Sequence, residues 1–235
     1  LLLIFPEPDF GTTLIIAGLC GVMMFIAGLR PAHIIFGLCA GIAAGIPLLL
    51  FEQYRVQRMV HFLDPWGDMN GEGYHVIQSW IAMHSGGLFG QGLGGSLAKL
   101  HFLPEPWTDF IASVLAEELG LVGLLSVIGL YSLLVWRGMY IARRARDPFG
   151  MLLAASLTTM IGLQAMFNLG VVMGVVPPKG LVLPFLSYGA SALISHLWAV
   201  GILLSIASEA DPKPIAEGWP RRKRKRSPRT AAAVS

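Results

Sequence analysis

The stretch Leu103-Pro104-Glu105-Pro106-Trp107-Thr108-Asp109-Phe110 runs into Ile111-Ala112-Ser113-Val114-Leu115-Ala116-Glu117-Glu118, the most structured grouping of ionisable residues in the chain. The prolines stop any earlier helix, Thr108 reads as an N-cap, and a helix from about residue 109 is predicted to continue straight into the apolar segment beyond. Asp109 then falls in the first turn. At 3.6 residues per turn Asp109, Ala112, Ser113, Ala116, Glu117 and Gly120 share one small, polar face, a suitable wall for a cleft. Glu117 lies about 12 Å farther along the axis, too far to form a close carboxylate pair with Asp109. The chemistry expected, if any, is that of a single carboxylate. The plainer alternative is an acidic residue that stabilises a helix N-terminus by roughly 0.3–1 kcal/mol.

A carboxylate base is useful beside groups that hold an anion. Arg55 and Arg58, three residues apart after an apolar segment, are either interfacial anchors or a clamp for phosphate oxygens. Lys179, in Val176-Pro177-Pro178-Lys179-Gly180-Leu181, is either a turn lysine or a third such cation. Residues 85–96 hold six glycines in twelve residues. They lack the Lys-Ser/Thr ending of a nucleotide loop, so two readings stay open: tight turns with close backbone packing, or exposed amides beside a phosphate-bearing ligand. His61, His75, His84 and His101 show no helical i, i+3 or i+4 pairing and have no Cys near, so no zinc motif is present. Cys20 and Cys39 sit in apolar runs as small hydrophobes.

The elements that must position these groups are membrane helices. Of 235 residues 54% are hydrophobic and 13% charged, with a mean hydropathy of +0.65, well outside the range of soluble domains. Five stretches, about 11–29, 33–51, 119–136, 150–174 and 190–207, are long enough to span a bilayer and free of Asp, Glu, Lys and Arg. Residues 1–5 are expected to end a sixth, so that the chain lacks its upstream part. Arg137, Arg143, Arg144 and Arg146 fall between two spans, and residues 221–226 are an unbroken Lys/Arg run, which puts both on the cytoplasmic side. Segments 52–118 and 175–189 then face outward, and 52–118 alone holds 8 of the 14 acidic residues and 4 of the 6 histidines. An outward loop of that length must contain structure of its own. Residues 74–85 read as a short amphipathic helix lying on lipid. Gly37, Gly41 and Gly45 give one helix face to a close neighbour.

The formal charge of +3 averages two unlike parts, because residues 211–235 hold eight basic and two acidic residues. Following a last span and lacking interleaved aromatics, that basic run is expected to meet anionic lipid headgroups rather than nucleic acid. Residues 1–207 are thus one transmembrane domain, and residues 208–235 a basic, disordered cytoplasmic tail.

Several blocks, in order, resemble the SEDS family (shape, elongation, division and sporulation) of peptidoglycan glycosyltransferases. Glu7-Pro8-Asp9-Phe10-Gly11-Thr12 is similar to its (Q/E)PDxGT turn, and residues 55–66 to its R-x-x-R…F-x-x-P-W stretch. Gly73-Tyr74-His75-Val76-Ile77-Gln78-Ser79 and Gly90-Gln91-Gly92-Leu93-Gly94 match further blocks. Residues 103–111 with Glu117-Glu118-Leu119-Gly120 resemble LPExHTDFIF…EELG, and Pro184-Phe185-Leu186-Ser187-Tyr188-Gly189 resembles LPF-x-SYGG. Lys179-Gly180-Leu181 is closer to the division branch than to the elongation branch. Trp107 stands where the family has His, and Ala190 and Ala192 interrupt its usual Gly-Ser-Ser.

The resemblance implies an all-α polytopic membrane protein: about five complete helices, the second half of a ten-helix fold, with a large extracytoplasmic loop. It also implies polymerisation of lipid II into glycan strands, with inversion, at the outer face of a bacterial cytoplasmic membrane, at the division septum. Asp109 would be catalytic, and Arg55, Arg58, Lys179, Glu105, Thr108, Glu117, Ser187 and Tyr188 would bind substrate. No protein-bound metal is expected, although a divalent cation, Mg²⁺ or Mn²⁺, is compatible with one carboxylate plus substrate phosphates. The partners implied are membrane lipids, a class B penicillin-binding protein (a transpeptidase) and other divisome proteins. The rival readings are a lipid II flippase, which needs ionisable groups near the bilayer midplane, and a non-catalytic scaffold.

Overall fold

The computed structural model describes residues 10–50, 62, 64–68, 72–97, 107–177 and 180–210. Among them every regular element is helical. The helices are α1 (Phe10–Ile26), α2 (Pro31–Leu50), α3 (Glu72–Gly86), α4 (Ile111–Arg144), α5 (Pro148–Val172) and α6 (Ala190–Ala210), with a 3₁₀ turn at Pro65–Asp68 before α3. Start signals are local. Pro31 and Pro148 occupy first helical positions, where the missing N–H costs nothing, and Asp147 caps α5 by accepting from Gly150 N at 2.8 Å.

Among the described residues, α4, α5 and α6 are long and apolar enough to cross a membrane. They cover the predicted spans 119–136, 150–174 and 190–207, and α1 and α2 fall on the two earlier apolar stretches. The surface agrees with a multi-pass membrane protein. Leu121, Val122, Leu125, Leu130 and Leu133 of α4, and Ile194, Leu197, Trp198 and Leu204 of α6, are exposed, as lipid-facing side chains are in a chain whose apolar surface needs no water-facing cover. At the basic end of α4, Arg144 lies over the Tyr140 ring at 4.4 Å and Arg137 over Trp136 at 5.3 Å.

The interior lies where α3 and α4 meet α5. Ala82, Phe110, Ala112, Ala165, Val171, Val172 and Leu183 form one buried cluster. Small residues let the helices approach: Ala112 and Ala154 are fully buried, and Ser79 on α3 hydrogen-bonds Ser113 Oγ on α4 at 2.8 Å and donates to Val172 O at 2.9 Å.

Two sequence expectations change here. The amphipathic helix, α3, turns its apolar face to protein rather than lipid: Val76, Ile77 and Ala82 are buried, and only Ile81 is largely exposed. The small face of α4 is consequently not a cleft wall. Ala112, Ser113, Ala116 and Glu117 are all buried beneath α3 and the loop after it. On α2, a Cβ at Gly37 or Gly41 would meet nothing within 4 Å among the described residues.

Candidate functional site around Asp109

Asp109 does not occupy the first turn of a helix. It sits in the turn formed by residues 107–110, with α4 beginning at Ile111, and Phe110 rather than Thr108 is the N-cap, with no side-chain capping bond. The backbone is fixed from outside instead. Phe110 anchors one end, buried and stacked on the His75 ring with centroids 5.9 Å apart. Three consecutive carbonyls then each accept a hydrogen bond from distant chain: Trp107 O from Tyr188 N at 2.8 Å, Thr108 O from Ser187 Oγ at 2.5 Å, and Asp109 O from Asn168 Nδ2 at 2.8 Å.

The donors on residues 187 and 188 belong to a folded loop rather than a strap. Ser187 Oγ also accepts from Leu183 N at 2.7 Å, and Asn168 Nδ2 also donates to Leu181 O at 2.6 Å. Leu183 is buried, Tyr131 Oη donates to Pro184 O, and Phe185 takes a positive φ of 68°. A non-glycine residue at that φ is uncommon and is kept by its surroundings; Phe185 packs edge-on against His196, ring centroids 5.5 Å apart. This loop passes directly over the carboxylate, because a Cβ on Gly180 would lie 3.3 Å from Asp109 Oδ2.

Beside the turn is an open cleft of about 480 Å³ between the first residues of α4 and α6. Trp107 and Tyr188, both exposed, stand at its edge, with Ile111, Leu186 and Leu193 as apolar walls. The structure therefore brings Asp109, Thr108, Ser187 and Tyr188 together. Thr108 and Ser187 meet through backbone and hydroxyl, and Tyr188 presents its ring to the cleft.

Glu117 lies elsewhere. Its buried carboxylate accepts from Ser96 Oγ at 2.5 Å, Leu97 N at 3.1 Å and Ser85 Oγ at 3.3 Å, which ties it to the glycine-rich loop. That loop is spliced into α4. At Gly120 the helix breaks, with φ 68° and ψ −167°. Leu121 N donates to Gly87 O and Val122 N to Leu88 O, while Glu117 O and Glu118 O accept from Gln91 N and Gly92 N, at 2.9–3.2 Å. A Cβ at Gly90 would collide with the Glu118 backbone, and one at Gly120 with Gly90 and Leu88. Of the two readings of the glycine run, the structure shows close backbone packing.

Arg55, Arg58, Lys179 and Glu105 lie outside the described residues. No group of three His, Cys, Asp or Glu side chains comes together among the described residues. Asp109 thus fits a Mg²⁺ ion only as one ligand among substrate oxygens.

Sequence reasoning missed Asn168, which is 1% exposed inside α5. The signal was there: a carboxamide inside an apolar span is expensive and needs a partner. Gln164, one turn earlier, similarly serves His196 Nε2, at 2.6 Å.

The sequence profile of the FtsW/RodA/SpoVE family, described as cell cycle protein, matches residues 1–211. Stage V sporulation protein E of Bacillus subtilis is 46% identical over 206 residues, 88% of this chain and 56% of that protein. A probable peptidoglycan glycosyltransferase FtsW of Geobacter metallireducens is 44% identical over 218 residues, 91% of this chain and 57% of its own length. Among solved structures, one of a peptidoglycan synthase complex, described for its coordination of polymerisation and crosslinking, superposes with a TM-score of 0.70 at 31% identity, covering 90% of this chain and 59% of that one. The rod shape determining protein RodA of Thermus thermophilus superposes with a TM-score of 0.57 at 30% identity, covering 90% and 53%. The chain spans a little over half the length of these relatives. Neither the flippase nor the scaffold reading is favoured by these matches.

Proposed function

The chain belongs to the FtsW/RodA/SpoVE family, and from that premise we propose that it supplies the outward catalytic face of a peptidoglycan glycosyltransferase acting on lipid II in cell division. The observation that carries this reading is the immobilised turn at residues 107–109, which holds Asp109 and whose Trp107 lines a cleft between the first residues of α4 and α6.

The C4 hydroxyl of the acceptor GlcNAc attacks C1 of the MurNAc at the reducing end of the growing strand. The C1–O bond to undecaprenyl pyrophosphate breaks with inversion, its electron pair leaves on the pyrophosphate, and the hydroxyl proton passes to the Asp109 carboxylate. A hydroxyl is a weak nucleophile near neutral pH, and a positioned base is worth roughly 10²–10⁴-fold. Arg55, Arg58 and Lys179, the residue before Gly180, neutralise the departing pyrophosphate. Asp109 is the described residue that could hold a divalent cation, which would supply further charge neutralisation. Tyr188 and Trp107 meet substrate at the cleft, whose apolar walls suit an isoprenoid chain. Thr108 and Ser187 shape the turn, Glu105 contacts substrate, and Glu117 acts at one remove, through the loop its carboxylate gathers.

In this reading α1 and α2 also cross the bilayer, giving five spans in residues 1–207, with loops 52–118 and 175–189 outside. Residues 208–235 form a basic tail in the cytoplasm. The setting is a bacterial cytoplasmic membrane at the septum, and the partner a class B penicillin-binding protein with other divisome proteins. Support comes from the relatives named for peptidoglycan glycosyl transfer and for a synthase complex.

The test is glycan-strand formation from labelled lipid II by the full-length protein in nanodiscs with its transpeptidase partner. Wild type should form polymer and Asp109→Asn should not, with folding and partner binding equal. Equal polymer from both would move the base elsewhere. Polymer from neither would count against glycosyl transfer.

A further inference from the structure

We propose that Asn168 is a positioning residue for Asp109, a carboxamide clamp that holds the base and the loop above it in one frame; this rests on the reading of Asp109 as the base. Asn168 is 1% exposed within α5, between Ala165, Met166 and Phe167 on one side and Leu169, Val171 and Val172 on the other. An amide buried there is costly unless its hydrogen bonds are made. Both bonds it makes are on one nitrogen, to Asp109 O at 2.8 Å and Leu181 O at 2.6 Å, carbonyls 59 and 13 residues away in sequence. Its Oδ1 is buried with no partner among the described residues. A leucine of similar size would escape the penalty of that orphaned oxygen. What leucine lacks is N–H, so the function of this side chain is to donate to those two carbonyls.

The two carbonyls define the carboxylate's place. Asp109 O belongs to the base itself, whereas the other two pins act on Thr108 and Trp107, one and two residues earlier. Leu181 O follows Gly180, whose Cβ position is 3.3 Å from Asp109 Oδ2. With both ends on one nitrogen, a shift of either segment strains the other. Only the side-chain torsions of Asp109 then separate a fixed backbone from the reacting hydroxyl, and displacement of a reacting group by about 1 Å is enough to cost on the order of 10²-fold.

The experiment compares wild type, Asp109→Asn and Asn168→Asp in the full-length protein in nanodiscs, by steady-state lipid II polymerisation and by amide hydrogen exchange. Aspartate keeps the shape of Asn168 and removes its N–H donors, and Asn168→Leu, which removes them without adding an ionisable group, is read alongside by the same measures and must show the same changes. Asn168→Asp should lower kcat by about ten- to a hundredfold with KM for lipid II within about twofold, and exchange should rise in residues 107–110 and 180–184 while residues 121–140 and 151–165 stay protected. Unchanged kcat, or a rise in exchange spread evenly along α5, overturns the clamp. Should Asn168→Asp fail to accumulate, Asn168→Ser, with one hydroxyl donor of shorter reach, is read by the same two measures. If wild type itself forms no polymer, glycosyl transfer fails as a reading, while localised exchange still supports the clamp and unlocalised exchange still overturns it.

Discussion

Ser187 and Thr108 are 79 residues apart in sequence, and the Ser187 hydroxyl donates to the Thr108 carbonyl at 2.5 Å while accepting from Leu183 N. One side chain thus closes the loop at residues 180–189 on itself and fastens it to the turn that carries Asp109. Ser187→Ala would orphan both groups, at a cost of about 1–3 kcal/mol for a buried one. A lowered Tm in detergent, together with weaker polymerisation, is the expected result. Tyr188→Ala makes the contrast, because its tie to Trp107 runs through backbone N–H and its ring is 80% exposed. Its Tm should stay within the equivalent of about 0.5 kcal/mol, while KM for lipid II rises.

Gly180→Ala separates activity from stability. The new methyl would stand 3.3 Å from Asp109 Oδ2, crowding the carboxylate without entering the hydrophobic interior. Polymerisation should fall by about tenfold or more, with thermal unfolding little changed; a normal rate would show that substrate approaches Asp109 from another side.

Glu117 should behave as a structural residue of the glycine-rich loop. Glu117→Ala leaves Ser96 Oγ and Leu97 N without their acceptor, at about 1–3 kcal/mol for each buried group. Limited proteolysis should find new cleavage between residues 87 and 97. Glu117→Gln, which keeps an acceptor oxygen, should show less of it.

Gly120→Ala asks whether the break in α4 is required. Alanine at φ 68° is strained, and its methyl would meet the backbone of Leu88 and Gly90. Destabilisation by more than about 2 kcal/mol is expected, read as loss of folded protein in fluorescence-detected size exclusion. Gly129→Ala, with open space around it, is the matched control and should be neutral.

The membrane helices were legible in the sequence because a 20-residue apolar run is a one-dimensional signal that needs no partner. Asp109 stood out less by itself: its spacing fits an acid stabilising a helix N-terminus as well as a base, and it was singled out through the family resemblance of the residues around it. Its exact seat was not legible. Thr108 looked like a cap, but the hydrogen bonds that decide the turn come from Asn168, Ser187 and Tyr188, 59 to 81 residues later, and no local pattern encodes such pairings. Gly120 was hidden differently. One glycine inside a helical pattern is tolerated or breaking according to what approaches it, and here the approaching backbone belongs to residues 87–92. The face shared by Ala112, Ser113, Ala116 and Glu117 was drawn correctly by helical periodicity, but a small polar stripe reads alike whether it lines a cleft or receives another helix.

The splice at Gly120 divides α4 into two mechanical parts. The first part ends in Glu117 and Glu118, whose carbonyls accept from the glycine-rich loop, and the rod from residue 121 onward begins with two amides pledged to that same loop. A tilt of the rod in a thicker or thinner bilayer is therefore delivered first to the loop, as at a universal joint, and not along a rigid shaft to Asp109. The turn at residues 107–110 can keep its place while the helix beyond Gly120 leans.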